Sequence, residues 1–168
     1  LKLRKNSNVR LVKLEDFFVS YKKTILKKGE FIESMVIPKP TSKEQLITHK
    51  ISKRYEDDIS AVCMAINITL SGDQPTSVRI ALGGMSGIPQ RAHQLEKVLI
   101  QYWNQENLTQ QAYKALQKEF TPFSDVRASA EYRLKVSANL VKKSNLMMKG
   151  EKVADLSETT QTSSFLEA

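Results

Sequence analysis

The chain has 168 residues, 40% of them hydrophobic, and a net charge of +8. That length fits one domain, or one small domain with an appendage, and the apolar content is enough for a core. No run approaches the ~20 apolar residues of a membrane span and no signal-peptide pattern opens the chain, so no membrane association is expected.

Cys63 is the only cysteine. An internal disulfide and any cysteine-held iron–sulfur site within the chain are thereby excluded. A lone thiol fits a reducing, cytoplasmic location. Leu1 is read as a processed end or as a cut within a longer chain. Charge is unevenly spread: residues 1–28 hold nine bases against Glu15 and Asp16, whereas the other 140 residues are nearly balanced. A basic segment of this kind attracts nucleic acid, an acidic partner or a phosphate-bearing cofactor, or it simply solvates an edge.

In chain order, Val9 to Leu14 alternates as a half-buried strand does, and Asp16-Phe17-Phe18 with Tyr21 supplies aromatic anchors. Phe31 to Ile37 is a second strand candidate, closed by Pro38 and Pro40. Lys39 to Lys43 reads as a loop and Leu46 to Arg54 as a more polar strand. The clearest element follows. Val62, Met64, Ile66, Ile68 and Leu70 share one face, and Ala61, Cys63, Ala65, Asn67 and Thr69 share the other, the pattern of a strand packed against helices. Ser71-Gly72-Asp73 marks a turn. Val78, Ile80 and Leu82 alternate again up to Gly83-Gly84. These short spacings favour antiparallel hairpins.

From Pro89 the period becomes helical. Ala92, Leu95, Val98, Leu99 and Tyr102 form one stripe, and Ala112, Tyr113, Leu116 and Phe120 a second, with Thr109 as its expected cap and Pro122 as its stop. Ser129 is positioned to cap a third helix, with Tyr132, Val136 and Leu140 on one stripe and Leu134, Ala138 and Val141 beside it. Gly150 punctuates its end, and residues 151–168 read as a polar tail or a partner-binding extension. Strands followed by helices predict an α+β fold: an antiparallel sheet with one face covered by three helices.

His49 and His93 lack partners at metal-ligand spacing, and no nucleophile elbow, P-loop or G-x-G-x-x-G is present. Neither a metal site nor a catalytic residue is assigned. Gly83-Gly84-Met85-Ser86-Gly87 reads as a tight strand-to-helix turn. Two clusters stand out. In the first, Lys50, Lys53 and Arg54 precede Glu56, Asp57 and Asp58; it is either a charge-paired connection or a loop lining a polar cofactor site. In the second, Asp125 and Ser129 can cap a helix while Arg127 and Arg133 reach acids across the sheet.

Three ordered motifs resemble a known family. They are Lys50-x-Ser52-x-Arg54-x-Glu56-Asp57-Asp58-Ile59-Ser60-Ala61-Val62, then Gly83-Gly84-Met85, then Ser124-Asp125-x-Arg127-Ala128-Ser129-Ala130-x-Tyr132-Arg133. Together they resemble the flavoprotein part of xanthine dehydrogenases, most of all the small subunit of bacterial enzymes. Residues 41–145 look like the C-terminal domain shared with carbon monoxide dehydrogenase flavoproteins. Asp16-Phe17-Phe18-x-x-Tyr21-Lys22-Lys23-Thr24, Gly29-Glu30-x-Ile32 and Ile37-Pro38 match the last strands of that family's FAD-binding domain. At Tyr55 the sequence departs from the pattern, where a basic or another aromatic side chain is common.

The resemblance implies a division into residues 1–40, the truncated end of an FAD-binding domain; 41–149, the C-terminal domain; and 150–168, a polar tail. It implies electron flow from a molybdenum site through iron–sulfur (2Fe-2S) clusters to FAD and on to NAD+, during oxidation of hypoxanthine or xanthine to urate. Ile32 would then pack near the flavin and Lys50 approach its polar edge. The loop with Ser52, Arg54, Glu56, Asp57 and Asp58 would lie where nicotinamide arrives. FAD would be shared with preceding residues, and molybdopterin and the iron–sulfur centres would lie outside this chain. A molybdopterin-binding large subunit is the expected partner, with no nucleic acid and no membrane. The isolated piece is expected to be inactive. The competing reading is a small basic module that binds nucleic acid or an acidic protein, although residues 1–28 lack a regular basic helix face and interleaved stacking aromatics.

Overall fold

The computed structural model describes residues 1–54 and 57–153. Tyr55, Glu56 and most of the expected tail therefore lie outside the described residues.

The N-terminal forty residues build two small sheets. β1 (Lys2–Lys5) and β2 (Asn8–Leu11) form a hairpin, with Asn6 left-handed in its turn (φ 53°). β3 (Phe18–Ser20) and β4 (Lys23–Thr24) form a second hairpin, and β5 (Phe31–Ser34) returns to pair with β1. Both expected strands here end early. The first stops at Leu11, because Leu14–Asp16 coils into a 3-10 turn. The second stops at Ser34, which lies opposite Lys2, where its partner strand begins; residues beyond it have no ladder to join. Of the aromatic anchors, Phe17 is buried and meets Phe18 edge-on at 5.1 Å, whereas Tyr21 is exposed.

The larger unit is a four-stranded antiparallel sheet in the order β6 (Glu44–Ile51), β7 (Val62–Ser71), β8 (Gln74–Gly83), β9 (Gln90–Arg91). The polar strand expected from Leu46 to Arg54 is shifted towards the N-terminus. It leaves the sheet after the Ile51–Val62 pair, so Ser52 to Arg54 belong to the following loop. β9, two residues long, was not visible in the hydrophobic pattern and separates the glycine-rich turn from the first helix.

The alternation in β7 sets the architecture. Val62, Met64, Ile66 and Ile68 are fully buried, and in register with them stand Val78, Ile80 and Leu82 of β8. Their common face is covered by α1 (His93–Tyr102), α2 (Leu108–Glu119) and α3 (Ala130–Met148). Leu95, Leu99, Trp103, Leu108, Leu116, Phe120 and Val141 complete a single core. The fold is thus the expected α+β arrangement, an antiparallel sheet with one face covered by three helices.

Two expectations about the helices need correction. Thr109 does not cap α2; the helix begins at Leu108, Asn107 occupies the cap position, and Thr109 lies inside. The inward stripe of α3 is also different. Tyr132 is exposed, and the buried positions are Arg133, Ser137, Ala138, Leu140, Val141, Ser144 and Asn145. Four of these are polar, so hydrophobicity alone misplaced the stripe. Each is bonded: Arg133 Nη2 donates to Asp125 Oδ1 and Ser137 Oγ to the Arg133 carbonyl, both at 2.7 Å, Ser144 Oγ bonds His49 Nε2 at 2.8 Å, and Asn145 Nδ2 donates to the Trp103 carbonyl at 2.9 Å. Ser129 caps α3 as expected, accepting from the Tyr132 N–H at 3.1 Å. Among the described residues no helix is long and apolar enough to cross a membrane.

Candidate functional site

The two charged sequence clusters meet at one end of the sheet. The first becomes the loop between β6 and β7. Its neck is closed by the Ala61 N–H donating to the Ile51 carbonyl at 2.7 Å. Within it, Asp57 accepts from the Arg54 N–H and Nε, each at 3.2 Å, and Ser52 Oγ donates to the Asp57 carbonyl at 3.5 Å. An arginine and backbone amides are what a cluster of consecutive acids requires to offset its mutual repulsion.

The second cluster is the turn leading into α3. Asp125 Oδ1 accepts from the backbone of Arg127 at 2.8 Å and of Ala128 at 3.1 Å, while Ser124 Oγ accepts from the Ala130 N–H at 2.9 Å. Asp125 therefore organises the turn rather than capping the helix. Arg133 and Arg127 do not reach acids across the sheet; both pair with Asp125 of the same turn, at 2.7 and 3.6 Å. The Arg127 N–H bond draws the Asp125 carboxyl down to about 2, against burial, with the Ala128 N–H and Arg133 acting in the same direction.

Between the two segments lie adjoining clefts. One encloses about 560 Å³ and is lined by Lys53, Arg54, Asp57, Asp58, Ile59, Val126 and Arg127. The other, about 400 Å³, lies against Ile51, Ser52, Ala61, Ala128, Ser129 and Tyr132 and shares Lys53 and Arg127 with the first. Lys53 Nζ donates to the Val126 carbonyl at 3.2 Å, a direct tie between the segments. Three cations and two carboxylates in the first cleft make it a polar pocket with an apolar flank at Ile59 and Val126.

Lys50 and Ile32 line neither of these clefts. Lys50 is the residue before the second cleft begins. His49 turns inward to Ser144 on α3, so Lys50 projects from the helix-free face of the sheet. There it pairs with Cys63, which in turn pairs with Gly83. That rung carries small side chains around one amine. Ile32 lies on β5 and is 45% exposed; Phe31, on the opposite face of that strand, is exposed too, as are Met35, Val36 and Ile37 beyond it. Glu56 lies outside the described residues. Among the described residues no cluster of metal-capable side chains is present.

The N-terminal unit touches this end of the sheet. Arg91 of β9 is gripped by Glu96 at 2.6 and 2.8 Å and also reaches Glu15 at 3.4 Å. Glu96 is buried and additionally accepts from the Ile80 N–H at 2.9 Å. Sequence reading missed this acid; its only signal was a charge between Leu95 and Leu99 on the inward side of α1. Much of the basic N-terminal charge is internally paired: Arg10 forks onto Glu30 at 2.9 and 2.8 Å, and Lys2 and Arg4 share Glu33.

Comparisons with known proteins identify the family and the fold. The sequence pattern of the CO dehydrogenase flavoprotein C-terminal domain matches residues 47–148. A xanthine dehydrogenase of Emericella nidulans is 36% identical over 90 residues, 52% of this chain and 7% of that protein. A glyceraldehyde dehydrogenase medium chain of Sulfolobus acidocaldarius is 28% identical over 130 residues, 77% of this chain and 46% of the other. The reconstituted CO dehydrogenase of Oligotropha carboxidovorans has the same fold, with a TM-score of 0.76 at 24% identity, over 84% of this chain and 49% of that one. The chain spans less than half the length of each of these proteins. With that pattern matching more than half of the chain and the fold shared, the chain belongs to the CO dehydrogenase flavoprotein C-terminal domain family, part of the flavoprotein of molybdenum hydroxylases.

Proposed function

We propose that this chain is the C-terminal part of the FAD module of a molybdenum hydroxylase of the xanthine dehydrogenase type, within which electrons leave FAD for NAD+. Hypoxanthine and xanthine are the proposed substrates, oxidised to urate on a separate molybdopterin-binding large subunit. Residues 1–40 are taken as the end of the FAD-binding domain and 41–149 as the domain that closes over the ring. The observation that carries the reading is the meeting of the 50–59 and 124–133 segments in one polar cleft, tied by Lys53 and Val126.

The residues present fit a planar ring. The Lys50–Cys63–Gly83 rung offers a flat surface with one amine above small side chains. Half-exposed Ile32 offers an apolar counterpart. FAD, when bound, supplies the two-electron chemistry. Lys50 supplies a cation beside the ring's polar edge, where it offsets negative charge on the reduced form. Ser52, Arg54, Asp57 and Asp58 form the wall past which nicotinamide reaches the ring, and Lys53, Arg54 and Arg127 attract its phosphates.

The test is the flavin content of the full-length protein. Stoichiometric FAD released on denaturation, together with NAD+ reduction driven by xanthine, supports the reading. A protein purified without flavin that instead shifts random DNA with a steep salt dependence would establish the basic binding module in its place.

A further inference from the structure

Arg133 is the residue on which this end of the molecule converges. It projects from the first turn of α3 and is 2% exposed. Nη1 donates to the Ala61 carbonyl and, at 2.9 Å, to the Gly84 carbonyl; Nη2 donates to Asp125 Oδ1 at 2.7 Å. Its guanidinium lies 5.5 Å from the centre of the Phe123 ring. One side chain thus holds the end of the 52–60 loop, the glycine turn after β8 and the 124–129 turn. Gly84 is shaped to admit it: with φ +81°, a Cβ there would collide with the Ala61 carbonyl and crowd Nη1 at 3.0 Å.

These contacts explain why an arginine is buried here. A fork with several donors reaches two carbonyls and a carboxylate at once; a lysine amine on a flexible stem lacks that fixed geometry. Nε has no protein partner, so the fork is committed to the loops at its far end rather than to the helix beside it. Each cleft-forming segment has bonds of its own, through Asp57 in the first and Asp125 in the second, and Arg133 adds ties to both. Loop 52–60 depends on its neck, and Ala61 is bonded on both sides of that neck, to Ile51 through its N–H and to Arg133 through its carbonyl.

We propose that Arg133 is a positioning residue that sets the separation of loops 52–60 and 124–129, and through it the affinity of the cleft for the nicotinamide acceptor. The proposal rests on the FAD–NAD+ reading for its ligand, but its structural half does not. In the full-length enzyme, Arg133→Met is expected to speed amide exchange in residues 57–60 and 124–129 together by roughly tenfold or more, while α2 and the centre of β7 keep their protection. The KM for NAD+ should rise roughly tenfold with little change in kcat, the pattern of lost binding rather than lost chemistry. Arg133→Lys should recover only part of both effects. Asp125→Asn, which weakens the same network from its partly exposed end, should reproduce them in milder form if Arg133→Met does not fold. Lys135→Ala, which removes an exposed pair with Glu131 on the same helix, is the neutral control.

Uniformly faster exchange across the chain, or an unchanged KM beside loosened loops, would overturn the positioning role. Unchanged exchange in both loops in Asp125→Asn would overturn it as well. A wild-type enzyme that holds FAD but shows no response to NAD+ would instead sink the ligand assignment, while the exchange data still decide whether Arg133 ties the loops.

Discussion

Lys53 Nζ donates to the Val126 carbonyl across 3.2 Å, joining two segments 73 residues apart. The bond is exposed, so it contributes little to global stability. Lys53→Ala is expected to change the unfolding free energy by less than about 0.5 kcal/mol. It should nevertheless speed exchange at the Arg127 and Ala128 amides, which NMR or mass spectrometry can follow. A large loss of stability without that local effect would show that the tie matters to the fold and not to the cleft.

Gly84 is the turn position least able to change. Its positive φ and the Ala61 carbonyl against it leave no space for a side chain. Gly84→Ala should cost roughly 2–4 kcal/mol in urea unfolding, from backbone strain together with displacement of Ala61. Gly72→Ala provides the contrast. It has φ +59° but nothing within 4 Å of an added Cβ, so only the backbone cost of about 1 kcal/mol should appear.

His49 links the sheet to α3 through Ser144, and burial lowers its pKa below the usual 6.5, with Lys143 adding repulsion. A lowered folded value means that the folded state resists protonation. The stability this implies is complete above pH 6.5 and is lost as pH falls from 6.5 towards the folded value, because the unfolded chain takes up the proton first. The melting temperature should therefore fall across that window, and His49→Gln should flatten the fall. An equal fall in the variant would remove His49 as its source.

The core is expected to behave as one unit. Leu99 on α1 is fully buried within the single hydrophobic cluster. Leu99→Ala should destabilise the protein by roughly 2–5 kcal/mol, as expected when a cavity opens between helix and sheet. A loss below about 1 kcal/mol would mean that the helices collapse onto the sheet more freely than the packing indicates.

The parts legible in the sequence were those written in one period. Val62 to Leu70 announced both the buried and the open face of the sheet, and Ser129 announced the start of α3. The three ordered motifs pointed to the family. What remained hidden depends on contacts between distant residues. The inward stripe of α3 is half polar because Arg133, Ser137, Ser144 and Asn145 find partners on other elements, and no helical pattern shows those partners. The short N-terminal strands end where their partners end, which a single strand cannot reveal. Arg133 was read as reaching an acid across the sheet. Its acid lies eight residues earlier, and its two further partners are backbone carbonyls, which carry no sequence signal.

On the proposed function, the open face of the sheet meets a flavin through Lys50. The most direct test is the flavin midpoint potential of the full-length enzyme, wild type against Lys50→Met, with FAD content and the absorption spectrum recorded in parallel. A partly exposed cation beside the reduced ring contributes on the order of 1 kcal/mol, so the account predicts a potential lower by roughly 20–40 mV, slower NAD+ reduction and a shifted spectrum. A variant that retains FAD with potential, spectrum and NAD+ reduction all unchanged would contradict it.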